Sequence, residues 1–408
     1  MHVMLCYSIY PPIQAGGAEL IVSNLATGLV RRGHRVTVVS TCGPQMEPYP
    51  TEQQDGVEVV RFFPPNRYWL FERDGRRGLD KLRWHARDAW NRGAARQLGS
   101  LMRRYAPDLV HTHGVEGFSP ALWQTVRNHG LPLVHTAHDY YMICPRALML
   151  TRNLNICAAP GLACRTRSAW YLRCARAIDV FCSPSRFLLD THLAGGLAVP
   201  HSAVVPNGIP MPDGAPKTFN LDPRQPLRLL FAGRLTPEKG VRVVIDAMRH
   251  VPAGHPVELT IAGRGPLADE AGIAAQFDPR ITFAGYVSGA AKARAFATAD
   301  CLLLPSLWYE NAPTVILEAA SHRLPVIASR MGAIPEFVHH DRNGLLFEPG
   351  NPAALAAAVM RLARDRAQVE RLGQGGSVLL QRHRVDSMLD AYLQQYQRLL
   401  DRRIARAS

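Results

Sequence analysis

Four charged side chains in the C-terminal half of this 408-residue chain have the types and spacings needed to hold a phosphorylated sugar: Arg234, Lys239, Glu310 and Glu318. Arg234 and Lys239 flank the turn GRLTPEKG, which leads into a run of helical spacing from Val241 to Met248. Cations beside the free N–H groups of a helix mouth suit a diphosphate. Glu310 stands just before a second helix mouth, near Pro313-Thr314, and Glu318 lies about one turn inside it, roughly 6 Å further along the axis. The free N–H groups and positive end of that helix favour an anion. Carboxylates gain little by facing a phosphate, but each can accept two hydroxyl donors from a sugar ring. Phosphate plus polyol is therefore the implied ligand. Singly, each feature has a plainer counterpart, a capped turn or a pair of solvated charges, and the inference rests on their combination.

The elements that position these residues read as a parallel α/β arrangement. An apolar run at 301–304 is followed by the loop Pro305 to Asn311, a helix with Val315, Ile316, Ala319 and Ala320 on its apolar face, and a second apolar run at 325–328. This is a strand, helix, strand crossover. Ligands of such sheets sit outside the carboxyl ends of the strands, where loops meet helix N-termini. Further strands are predicted at 2–7, 36–39, 55–63, 109–111, 133–136, 179–183 and 203–205, then at 227–232, 257–263, 281–285 and 344–347. Helices are predicted at 18–31, 186–192, 241–248, 353–364 and 387–402. A stretch dense in Pro and Gly begins at VPNGI, Val205 to Ile209, and marks a domain boundary. The expected division is a first domain over 1–206, a linker over 207–226, a second domain over 227–385 and a final helix over 386–408.

Composition is globular, with 47% hydrophobic residues, and the length suffices for two cores. No apolar run reaches the roughly 18 residues needed to cross a bilayer. The start, MHVMLCYSIYPP, lacks a basic region and a small-residue cleavage site and reads as a first strand, so a cytoplasmic protein is expected. A net charge of +14 and a pI near 9.8 point to an anionic partner. Arginine is spread without an aromatic-interleaved module, which argues against nucleic acid. The segment 67–104 instead sets many arginines among Trp69, Leu70, Phe71, Trp84 and Trp90. It fits a basic helix lying in an anionic membrane surface and equally a core helix with a solvated basic face.

Other candidates are local. Gly16-Gly17 stands at the mouth of the first helix, where glycines let a backbone approach a phosphate, though a tight turn needs the same residues. His111, His113, His135 and His138 cluster at two predicted strand ends without a carboxylate set to complete a metal site, apart from Asp139. Of the eight cysteines, Cys6, Cys42, Cys182 and Cys301 fall in or beside apolar runs as small hydrophobes. Cys144, Cys157, Cys164 and Cys174 share a loop-rich stretch whose spacing fits no CxxC knuckle; free thiols and a structural zinc site both stand as readings.

The Glu310 and Glu318 pair, with the LLPS turn before it and the GAIPE loop after it, resembles the donor-sugar site of family 4 of the retaining glycosyltransferases. Gly16-Gly17, VHTAHD, VPNGI and GRLTPEKG match further segments of that family, so the resemblance runs over nearly the whole chain. It implies the GT-B fold, two Rossmann-like domains facing across a cleft, with the final helix crossing back to the first domain as a hinge. It also implies transfer of a sugar from a nucleotide diphosphate sugar, UDP- or GDP-linked, to a hydroxyl acceptor with retention and no catalytic metal. By the same resemblance Arg234 and Lys239 bind the donor diphosphate, Glu310 and His138 contact the transferred sugar, and Glu318 holds the ribose. Gly16, Gly17, Gly263, Tyr286, Val287, Thr314 and Val315 make the remaining donor contacts, Tyr286-Val287 beside the base. A lipid-linked saccharide acceptor for a surface polysaccharide or glycolipid, met at the inner face of the plasma membrane, is the partner expected. An epimerase or phosphorylase on the same fold, and a sugar-phosphate binding protein, are the alternatives. A nicotinamide oxidoreductase is excluded, because no GxGxxG follows a strand.

Overall fold

The computed structural model describes residues 1–13, 16–46, 51–72, 75–76, 78–211 and 217–407. Two compact units emerge, one of residues 1–148, 158–208 and 385–408, the other of residues 149–157 and 209–384. The excursion 149–157, read from sequence as part of the first domain, groups with the second.

The first unit is built on an eight-stranded sheet: β1 (His2–Tyr7), β2 (Arg35–Thr41), β3 (Glu52–Gln54), β4 (Val57–Phe62), β5 (Leu109–His113), β6 (Leu133–Thr136), β7 (Val180–Ser183) and β8 (His201–Val204). Their order is β3-β4-β2-β1-β5-β6-β7-β8, and every pairing is parallel except β3 with β4. β5, β6 and β7 are buried along their whole lengths, as strands covered by helices on both faces must be, and the His and Thr side chains they carry are buried with them. The strand predicted over 55–63 is instead a hairpin. Asp55 and Gly56 both take positive φ, 50° and 79°, the Asp-Gly turn that joins two antiparallel strands.

The final helix, Val385–Ala407, belongs to this first unit. Met388, Leu389, Tyr392, Tyr396 and Leu399 enter its core beside Ile21, Leu25 and Leu29 of the helix Ala18–Arg31. The two helices approach so closely that a Cβ on Gly28 would meet the Leu389 side chain at 2.6 Å. Arg32 bonds Asp390 and reaches Asp386 at 3.3 Å across the same seam.

The second unit carries a six-stranded, wholly parallel sheet of β9 (Leu227–Ala232), β10 (Val257–Ala262), β11 (Ile281–Gly285), β12 (Cys301–Leu304), β13 (Val326–Ser329) and β14 (Gly344–Phe347). The order is β11-β10-β9-β12-β13-β14. Chain entry and exit are side by side, since Ile209 pairs with Arg384 and its N–H donates to His383 O at 2.9 Å. Buried Asp300 at the base of β12 collects Arg228 at 3.0 Å, Arg366 at 3.5 Å and Lys217 at 3.9 Å. Burial lowers Lys217 to about 8 despite that carboxylate.

Two sequence expectations are corrected here. The cysteine-bearing stretch is not all loop, because Leu162–Cys174 is a helix. Pro145 and Pro160 both precede it, so nothing inside it breaks the helix. The basic segment divides into two helices, Gly78–Asp88 and Arg92–Tyr105, and its tryptophans are largely core. Trp69 and Trp84 are buried with Ile9, Tyr68 and Leu70, whereas Leu79 and Leu82 face outward.

Candidate active site

β9 and β12 are neighbours from which the second sheet is laid down in opposite directions, β10 and β11 on one side, β13 and β14 on the other. A crevice forms at such a switch point, outside the carboxyl ends. The loops that follow β9 and β12 carry Arg234, Lys239 and Glu310, so the topology alone brings the predicted residues together.

The two loops are packed backbone on backbone. Leu307 N–H donates to Glu238 O at 2.8 Å. Gly240 has φ 74°, and a Cβ there would lie 2.0 Å from Pro305 O, so only glycine serves at that position. A second glycine, Gly332 in the loop after β13, has φ 57° and would drive a Cβ to 2.6 Å from Glu310 N and O; its neighbour Ala333 donates its N–H to Glu310 O at 2.8 Å. The GAIPE loop thus holds the Glu310 backbone from behind.

Three donors converge on one oxygen of Glu310. Oε1 accepts from Lys239 Nζ at 2.7 Å, Ser306 Oγ at 2.6 Å and Trp308 Nε1 at 2.9 Å. Oε2 has no partner among the described residues. Lys239 also stands 4.9 Å from the centroid of the Trp308 ring. Glu310 is 3% exposed, so one cation and two neutral donors meet this carboxylate in a mostly dry setting. Arg234 is exposed and lies 3.7 Å from Glu238, whose carboxylate also accepts from Thr236 Oγ1 at 2.7 Å. Ser306 and Trp308 were not singled out from sequence. No local spacing marks them, because the backbone bends at Leu307 and Trp308 to bring both side chains onto Glu310.

On the helix Thr314–Ser321, Ile316, Leu317, Ala319 and Ala320 are buried while Thr314, Val315 and Glu318 share the partly exposed face. Glu318 is paired with Lys292 of the helix Gly289–Thr298 at 2.7 Å, a partner the sequence reading did not foresee. Tyr286 is exposed with the Arg264 guanidinium 4.6 Å above its ring, and Val287 beside it is half-buried. Gly263 follows β10, and its N–H donates to Gly285 O at 2.8 Å.

In the first unit the switch point falls between β1 and β5. Gly16 and Gly17 lie at the mouth of the helix after β1, where Gly16 N–H donates to Glu19 Oε1 at 2.6 Å. This mouth already holds a carboxylate, the tight-turn arrangement, and a phosphate would have to displace it. His111 and His135 are core histidines: His111 bonds Tyr396 OH at 2.6 Å and Thr136 Oγ1 at 2.8 Å, and His135 bonds Thr112 Oγ1 at 2.8 Å. His138 lies just past β6, its Nε2 3.0 Å from His113 Nδ1, in stacked rings. Desolvation lowers His138 to about 4 and holds His113 well below its ordinary value, so both imidazoles are neutral. His113 Nε2 is buried without a partner. Cys144, Cys157, Cys164 and Cys174 are free thiols, and among the described residues no group of three His, Cys, Asp or Glu is placed to hold a metal ion. The zinc reading of the four cysteines is therefore not supported.

Comparison with known proteins agrees across nearly the whole length. Residues 15–211 match the family described as Glycosyltransferase Family 4, and residues 226–365 the family described as Glycosyl transferases group 1. The chain is 30% identical to glycogen synthase of Mycobacterium tuberculosis over 390 residues, 91% of this chain and 88% of that protein. It is 28% identical to the phosphatidyl-myo-inositol mannosyltransferase of Mycobacterium leprae over 68% of this chain and 69% of the relative. Among solved structures, HepE of Anabaena in complex with UDP and glucose shares the fold with a TM-score of 0.72 at 18% identity, over 97% of this chain and 99% of that one.

Proposed function

Because the chain belongs to family 4 of the glycosyltransferases and has their GT-B fold of two Rossmann-like domains, we propose that it transfers a sugar from a UDP- or GDP-linked donor to a hydroxyl acceptor, with retention at the anomeric carbon and without a catalytic metal. The observation that carries this reading is the division of labour at Glu310. Oε1 is filled by Lys239, Ser306 and Trp308, and Oε2 is left to accept a hydroxyl of the transferred sugar. The same lysine has three donors, one on that carboxylate, and offers the others to the donor diphosphate.

In this reading the bond from the anomeric carbon to the diphosphate oxygen breaks and the bond to the acceptor oxygen forms on the same face. The acceptor proton passes to the departing phosphate. Lys239, Arg234 and the free N–H groups at the mouth of Thr314–Ser321, with Thr314 and Val315 at its first turn, stabilise the charge that develops on the leaving group. Glu318 takes the ribose hydroxyls when Lys292 turns aside, Tyr286 and Val287 border the base beside Gly263, and Gly16, Gly17 and His138 serve from the first domain.

The acceptor we propose is a lipid-linked saccharide in polysaccharide or glycolipid synthesis, met at an anionic membrane surface. Among the described residues no helix is long and apolar enough to cross a membrane. Support comes from the helix Gly78–Asp88, where Leu79 and Leu82 are 69% and 66% exposed among Lys81, Arg83 and Arg87. Each basic side chain near an anionic leaflet contributes about 1 kcal/mol. The relative that mannosylates phosphatidyl-myo-inositol is consistent with a lipid acceptor.

The test is release of nucleotide diphosphate from a panel of UDP-, GDP- and ADP-sugars by the purified protein, with and without chelator, beside Glu310→Ala. Release from one donor, indifferent to chelator and lost in the variant, is the expected result. An epimerised donor made without acceptor would replace transferase by epimerase. Saturable donor binding with no product from any lipid-linked acceptor would leave a binding protein.

A further inference from the structure

One buried carboxylate in the first domain belongs to none of the roles above. Asp88 closes the helix Gly78–Asp88 and is fully buried. Its Oδ1 accepts from Gly117 N–H at 3.0 Å, in the loop after β5. Its Oδ2 accepts from Tyr141 OH at 2.8 Å, in the loop after β6, and from Tyr171 OH at 3.1 Å, in the helix Leu162–Cys174. Three segments at the carboxyl rim of the sheet therefore end on one side chain.

Tyr141 is the point where this tie meets the turn after His138. Its OH is on Asp88, its N–H donates to Asp139 Oδ1 at 2.8 Å, and its carbonyl accepts from Arg167 Nη1 at 2.7 Å. The Arg167 guanidinium is sandwiched against two rings, 4.2 Å from the centroid of Tyr141 and 4.0 Å from that of Tyr171. The turn continues with the N–H groups of Ile143 and Cys144, both donated to Tyr140 O at 2.9 and 2.7 Å. His138 opens this turn, three residues before Tyr141.

We propose that Asp88 is a positioning residue for sugar transfer: by gripping Tyr141 it fixes the turn that carries the His138 imidazole. This inference rests on the role given to His138 in the proposed function. The carboxylate is worth burying because three donors point at it and the Arg167 cation lies close by; two apolar side chains in place of Asp88 and Tyr141 would hold no such orientation. Desolvation raises Asp88 to about 6, while Tyr141, Tyr171, Gly117 N–H and Arg167 oppose that shift. His85 of its own helix lies 3.5 Å from Tyr141 OH, and Glu116 adds negative charge near Tyr141. Protonation puts a fourth donor among groups arranged to donate, so the grip loosens as pH falls through that value.

The test uses the full chain as Asp88→Asn and Tyr141→Phe, the second keeping the ring and the Arg167 contact. Both are expected to lower kcat about tenfold or more with the donor KM unchanged within twofold. The parent is expected to lose kcat below about pH 6, and Asp88→Asn to lack that step. Nitrogen NMR signals of the His138 ring, assigned with His138→Gln, are expected to move in both variants, a readout that needs no turnover. Parent kcat, parent pH profile and unmoved His138 signals in folded Tyr141→Phe would overturn the proposal, whether or not Asp88→Asn folds. Absence of transfer by the parent protein on every donor would instead count against the proposed function, and the His138 signals would still decide this inference.

Discussion

Lys239 Nζ and Glu310 Oε1 stand 2.7 Å apart, although they come from the loops of two different strands and are 71 residues apart in the chain. The pair couples the group assigned to the diphosphate with the group assigned to the sugar. In the proposed reaction, negative charge that builds on the diphosphate as the donor bond breaks faces a cation whose other partner is the carboxylate assigned to the sugar.

Lys239→Ala is expected to lower turnover about 100-fold or more, the scale of losing one contact to a developing charge. It also leaves Glu310 buried without its cation, at a cost in stability of about 1–3 kcal/mol. Lys239→Ala with Glu310→Ala should therefore lose less than the sum of the two single variants. Steady-state kinetics and urea denaturation of all four proteins check this; strict additivity would mean that the pair does not act as a unit.

Gly240→Ala is expected to be damaging without touching any ligand. The position has φ 74°, and its new Cβ would lie 2.0 Å from Pro305 O. Left-handed backbone costs a non-glycine residue about 1–2 kcal/mol even without a clash, and here the two loops must also move apart. Loss of at least about 2 kcal/mol in denaturation, with donor affinity falling in parallel, is the outcome expected.

Acid should weaken the first domain before the second. His111, His113 and His135 are held well below their ordinary value of 6.5 by burial, and His138 and His192 at about 4. Between about pH 6.5 and 4 the unfolded chain binds protons that these folded histidines refuse, so stability falls as pH falls through that window. Asp88 acts in the opposite sense, since its raised folded value lets the native state take a proton first, but five histidines oppose one carboxyl. Denaturation midpoints at pH 7.5, 6 and 5 test this, and His192→Gln should flatten the slope.

Tyr396→Phe removes the hydroxyl that His111 Nδ1 meets at 2.6 Å. A buried ring nitrogen left without its partner costs about 1–3 kcal/mol. Deletion of residues 385–408 removes Met388, Leu389, Tyr392 and Tyr396 from the core as well, and should leave the first domain unable to resist proteolysis.

Much of the fold was legible because parallel strands buried on both faces leave unbroken apolar runs, and β1, β6, β9, β11, β12 and β14 were read to the residue. The hairpin at Asp55-Gly56 was missed because a polar three-residue edge strand has no apolar pattern to announce it. The helix Leu162–Cys174 was missed because cysteines and arginines obscure its period. At the candidate site, residue types and loop order singled out Arg234, Lys239, Glu310 and Glu318, and the fold brings the first three onto two neighbouring loops. The pairing of Glu318 with Lys292 and the tie at Asp88 depend on contacts between segments far apart in the chain, and no local spacing records them.

The route of the chain through its two domains sets an order of events during synthesis. The core of the first domain is finished by the last helix, yet all of 209–384 is made before that helix leaves the ribosome. At roughly 5–20 residues per second, the apolar face of Ala18–Arg31 that will receive Leu389 waits on the order of ten seconds or more. The second domain, continuous apart from 149–157, can close while the first is still open, so the part of the protein that begins first is the part that matures last. A nascent chain stalled within the last helix would carry a finished second domain and an unsealed first one, the form most exposed to chaperones and proteases.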